Sequence, residues 1–132
     1  MAMVSVKSYQ CPASLVLQRS QSGRMSVPTV ITVIVETFGP VQAGIFRVQL
    51  ESAGFSLAGE DGRPHGDGKI CQVPFTADSA GDVTVTMRGI VLADSNVKAG
   101  TCYVEVSLTA SDPSDPTYNS TRSHTTMLSV PL

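Results

Sequence analysis

Tryptophan is absent from this chain, and aromatic residues make up only 5% of its 132 positions. Charged residues supply 15%, well under the roughly 25% usual for globular domains, so solubility rests on Ser, Thr, Asn and Gln. No apolar run approaches the ~20 residues needed to span a bilayer. The longest, Val30 to Val35, is broken by Thr32. That excludes a helical integral membrane protein. The stretch Met1 to Val6 lacks the basic-then-apolar pattern of a secretory signal, and the sequence assigns no compartment.

Concentrated positive charge is also missing. The nine basic residues are scattered with no two adjacent, and the net charge is −2. Nucleic-acid binding needs a clustered basic footprint, so nucleic acid is disfavoured as a partner. The familiar catalytic spacings are absent as well: there is no G-x-S-x-G elbow, no H-E-x-x-H and no glycine loop leading into a helix. Without them the chain reads as a non-enzyme that needs no cofactor. The three cysteines, Cys11, Cys71 and Cys102, include no C-x-x-C pair, so a structural zinc site of that kind is unsupported.

What the chain does contain is period-two alternation. No window of twelve or more residues repeats apolar positions at three and four, and Gly, Pro, Thr and Val interrupt every helical candidate. Strands are expected at Ser14–Gln18, with a short one before it at Val4–Lys7, and at Thr29–Phe38, opened by Pro28 and read as apolar on both faces. Phe46, Val48 and Leu50 alternate with Arg47, Gln49 and Glu51, the pattern of a half-buried strand. Phe55 and Leu57 are read as its continuation past Gly54. Further strands are expected at Lys69–Phe75, at an edge because of Pro74, at Asp82–Met87 with an extension over Ile90–Leu92, at Thr101–Thr109, and at Ser123–Val130 along an edge. Seven to eight short strands without crossover helices predict one all-β domain over residues 1–132. The expected architecture is an antiparallel, immunoglobulin-like β-sandwich, with a jelly roll as second choice. The safest core residues are Phe46, Val48, Leu50, Val104, Val106 and Leu108.

Two polar loops carry the candidate binding residues: Asp61, His65 and Asp67 in the glycine-rich stretch Ala58–Gly68, and Asp112, Asp115 and Tyr118 in Ala110–Arg122. A ligand surface follows if both loops lie at one end of the sandwich. No spacing there matches a calcium loop, and no metal site is assigned. Cys71 and Cys102 are both expected on inward faces. A disulfide between them would stabilise by ~3.5–4 kcal/mol through loop closure, and the alternative is two small buried hydrophobes. Asn119-Ser120-Thr121 matches the glycosylation sequon, which matters only on export. The leading function is a structural or assembly protein: a subunit of a coat, shell, fibre or surface layer that binds itself or another protein. The alternative is a non-catalytic module that recognises a glycan or a protein through its loops.

Overall fold

Strict alternation over strands this short buries one face of each, and the buried faces need a second sheet to cover them. A computed structural model describes residues 4–19, 21, 23–59, 69–113 and 119–131. Its ten strands are β1 (Val4–Gln10), β2 (Ser14–Val16), β3 (Gln18–Arg19), β4 (Met25–Thr37), β5 (Val41–Glu51), β6 (Phe55–Gly59), β7 (Ile70–Ala77), β8 (Gly81–Ala93), β9 (Gly100–Ser111) and β10 (Asn119–Val130). The first sheet runs β1-β4-β8-β6, with β3 also on β4, and the second runs β2-β10-β9-β5-β7. Neighbours are antiparallel except β2, which lies parallel to β10. This is the two-sheet sandwich expected from the alternation.

The core lies between the sheets. Ile31, Val33 and Val35 of β4 and Val85, Met87 and Val91 of β8 face Phe46, Val48 and Leu50 of β5 and Val104, Val106 and Leu108 of β9, all buried. Full burial of a side chain such as Leu17, Leu108 or Leu128 contributes about 1.5–3 kcal/mol. Gly44 belongs to this packing. It pairs with Phe75, whose ring lies where a Cβ would be, at 2.6 Å.

The segment from β1 to β3 is one extended run that changes sheets twice. β1 pairs with Thr32–Thr37 of β4, β2 joins β10, and β3 returns to Met25 and Ser26 of β4. Leu17, fully buried between β2 and β3, donates its N–H to the Ser129 carbonyl at 2.9 Å. The expected strand Ser14–Gln18 is therefore two pieces in different sheets.

Other expectations shift. β4 begins at Met25, ahead of Pro28, and Pro28 falls between the stretches paired to β3 and β1. No strand needs its missing N–H on that side. The outer face of β4 is not covered: Val30 is 44% exposed. Phe55 and Leu57 do not continue β5. Gly54, with φ at +90°, turns the chain into β6 on β8 of the other sheet. β8 runs unbroken through Gly89, where a Cβ would stand 2.8 Å from the Ala58 carbonyl oxygen. The edge position expected for the Pro74 strand is the one β7 occupies.

Candidate assembly surface

The sandwich has two ends. One carries turns 38–40 and 78–80 and the exit of β9; the other carries turn 52–54 and loop 94–99. Lys69, at the stem of the glycine-rich loop, bonds the Ser52 and Phe55 carbonyls through Nζ at 2.6 and 2.9 Å at the second end. Ser111, which begins the other long loop, pairs with Ile45 towards the first end. The first loop thus returns at the second end, its entry at Gly59 lies partway along β8 opposite Gly89, and the second loop leaves towards the first end. Of the named loop residues, Asp61, His65, Asp67, Asp115 and Tyr118 lie outside the described residues. Asp112 is buried at 1% exposure. A buried carboxylate needs hydrogen-bond partners, and no buried side-chain nitrogen or oxygen among the described residues lacks one.

No disulfide joins the cysteines. Cys71 pairs with Val48, which pairs with Leu108, six residues along β9 from Cys102. That offset is ~20 Å along the sheet, far beyond the ~7 Å that a disulfide can bridge. Both residues belong to one sheet, two strands apart, a relation that local alternation does not encode.

The two sides of the sandwich are closed differently. On one side the edge strand β1 meets β10 through side chains, along the part of β10 that precedes its pairing with β2 at Met127–Ser129; the last strand is therefore at an edge over its first part alone. Val6 N–H donates to Ser120 Oγ at 3.0 Å, and Arg122 Nε and Nη2 donate to the Val6 carbonyl at 3.3 and 3.2 Å. Thr126 Oγ1 donates to the Pro12 carbonyl at 2.9 Å, and His124 Nε2 lies 3.2 Å from the same oxygen. The Tyr9 ring meets the His124 ring edge-on at 5.5 Å. Cys11 Sγ lies 3.9 Å from Thr126 Oγ1. Burial pushes the Cys11 thiol up, and the Thr126 hydrogen bond opposes this only in part, so the thiol is not an activated nucleophile. This polar seam was missed in the sequence. Its signal is the switch along the inner face of β10 from Ser120, Arg122, His124 and Thr126 to Leu128 and Val130.

On the other side, β7 is the edge of its sheet and carries exposed Pro74. Next to it, β6 pairs with β8 only from Gly89 to Ala93. Among the described residues, β8 from Gly81 to Arg88 has a strand partner on one side alone.

Two concave sites among the described residues bear on binding. A small space inside the core, lined by Cys11, Leu15, Thr29, Val106 and Thr126 among others, holds about 20 Å³, room for one water. An open cleft of about 1040 Å³ at the second end is lined by Arg19, Arg24, Asp94, Asn96 and Val97. Arg19 Nη1 bonds the Gly23 carbonyl at 3.2 Å and Arg24 Nε the Ala93 carbonyl at 3.5 Å. Among the described residues, no group of three or more His, Cys, Asp or Glu side chains could hold a metal ion, and no helix is long and apolar enough to cross a membrane.

No family model and no curated protein matches the chain. Solved structures resemble it at the level of the sandwich. The CooA pilin subunit of enterotoxigenic Escherichia coli aligns with TM-score 0.49 and 18% identity, over 99% of this chain and 97% of the pilin. A PapD-like domain of human CEP192 aligns with TM-score 0.45 and 9% identity, over 96% and 84%. The CfaE adhesin of enterotoxigenic E. coli gives TM-score 0.46 and 11% identity, over 98% of this chain and 49% of the adhesin. These likenesses concern the arrangement of strands.

Proposed function

We propose that the protein is a non-catalytic structural subunit that joins copies of itself, or another protein, through its sheet edges. The observation that carries this is the pair of sheets with strand edges at their borders: side chains of β10 close the β1 edge, while β7 ends the second sheet with a strand partner, β5, on one side. A strand edge with unpaired N–H and C=O groups is a ready template for another chain. Low charge and Ser/Thr-rich outer faces, such as Thr109 against Thr121 at 3.1 Å, suit packing against protein neighbours. The test is solution mass by light scattering across concentration and ionic strength. A discrete oligomer or growing assembly supports the reading, and a monomer throughout counts against self-association.

A second reading has one observation in its favour, the open cleft between Arg19, Arg24 and Asn96. Its shape suits a binding module for a protein or a glycan. A screen of acidic peptides and glycans against wild type and an Arg19→Ala/Arg24→Ala variant tests it, and equal binding by both proteins would exclude the cleft.

A further inference from the structure

We infer that copies of this chain join end to end, with Phe38 at the first end of one copy seated in the cleft at the second end of the next. The inference rests on the self-assembly reading above and adds a contact that sheet edges do not supply.

One half of the contact is a knob on a fixed tip. Phe38 follows directly on β4 and is 52% exposed. Its neighbour Thr37 is buried, and Thr37 Oγ1 lies 3.2 Å from the carbonyl oxygens of both Ser79 and Gly81. That hydroxyl ties turn 38–40 to turn 78–80. Pro40 stands two residues on and restricts the backbone. A ring presented by a tied turn loses little freedom on docking, and buried aromatic anchors dominate many protein contacts. A lone exposed apolar residue is ordinary on a surface. What sets Phe38 apart is a complement at the far end of the same chain.

The cleft of about 1040 Å³ between segment 19–25 and loop 94–99 is that complement. Ala93 and Val130, both buried, and Met25 and Val97, both half-buried, give it an apolar lining. Arg19 and Arg24 line it as well, and both are exposed. Each has one nitrogen held by a backbone carbonyl. Among the described residues neither is ion-paired with a carboxylate. A guanidinium held in this way accepts a carboxylate and stacks on an aromatic face.

Charge sorts the two ends in the same sense. On turns 38–40 and 78–80 and the strand residues that adjoin them stand Glu36, Asp78 and Asp82, with Lys7 bonded to Asp82 at 2.9 Å. Around the cleft stand Arg19, Arg24 and Lys98, with Asp94 alone against them. An acidic tip therefore meets a basic cleft. Two tips or two clefts brought together would repel, which gives the contact a direction. Because it joins different patches at opposite ends of the molecule, each dimer keeps one free tip and one free cleft. Such a heterologous contact does not close on itself, and the product is a linear string of copies.

The test compares wild type, Phe38→Ser, Arg19→Glu/Arg24→Glu and an equimolar mixture of the two variants by sedimentation velocity. Circular dichroism checks that each is folded. The first variant keeps a working cleft and the second a working tip, so each alone should self-associate about tenfold or more weakly than wild type. The mixture should form a one-to-one dimer and stop there, since no further tip meets a cleft. As a measurement that needs no variant, amide exchange in segments 36–41 and 94–99 of wild type should slow together as concentration rises. A wild type that associates while both variants keep its mass, or with both segments exchanging alike at all concentrations, overturns this contact and leaves assembly through sheet edges standing. Variants that are monomeric alone and stay so when mixed also overturn it. A wild type that stays monomeric up to its solubility limit overturns self-assembly and this contact together.

Discussion

The guanidinium of Arg122 brackets the carbonyl oxygen of Val6, with Nε at 3.3 Å and Nη2 at 3.2 Å. Because the Val6 N–H goes to Ser120 Oγ, both backbone groups of one β1 residue are satisfied by side chains of β10. Two sheet edges are thus closed against each other without a ladder between them. The polar half of the inner face of β10 is what makes this closure available.

Replacing Arg122 with Met keeps the aliphatic stem and removes the fork. Charged hydrogen bonds are stronger than neutral ones, but Arg122 is exposed, so the expected loss is about 1 kcal/mol. Arg122→Lys should recover part of it, since an ammonium cannot bracket one oxygen with two fixed donors. Urea denaturation midpoints at constant slope measure both.

Gly44→Ala should destabilise by about 1–3 kcal/mol, because its Cβ would fall 2.6 Å from the Phe75 ring in a closely packed core. Adding Phe75→Leu should make the two costs less than additive, since the smaller side chain vacates the space that the added methyl group needs. A double-mutant cycle in thermal unfolding reads the coupling, and strict additivity would contradict the packing described.

Stability should fall at alkaline pH in part through Cys11. Burial raises the thiol above its ordinary range, so the folded chain holds this proton more tightly than the unfolded one. The stabilisation is complete below the unfolded thiol value and is lost as pH rises through the folded one. Denaturation midpoints of wild type and Cys11→Ala from about pH 7 to about pH 10 should converge as pH rises. A constant offset would show that the thiol proton is not linked to folding.

Val106→Asp should unfold the domain. Val106 is 5% exposed, in the middle of β9 and against the small internal cavity. An unpaired buried carboxylate costs several kcal/mol, a large share of a domain's roughly 5–15 kcal/mol. The readout is loss of the β-type circular dichroism spectrum at neutral pH.

The strands were legible because alternation is a local property. Phe46, Val48 and Leu50, and Val104, Val106 and Leu108, declare their face through their nearest neighbours, and all six are buried. Partnership across the fold was not legible. Nothing around Gly54 tells a kink within one strand from a crossing to the other sheet, and Leu17 gives no local sign that its flanks pair with different sheets. Cys71 and Cys102 share an inward face in the pattern, yet register separates them. The seam has the same character: it is set by where pairing stops, which depends on residues far away in sequence.

The double change of sheet in the first strands has a mechanical consequence. Val4 and Val130 lie at opposite ends of the sandwich, and β2 runs parallel to β10 between Ala13 O, 3.0 Å from Met127 N, and Leu17 N, 2.9 Å from Ser129 O. Tension applied at those two points acts along the strands, shears these bonds and loads them together, so they cannot open one at a time. A domain strung in series and pulled this way would resist until the patch ruptures at once, instead of peeling apart under a small force.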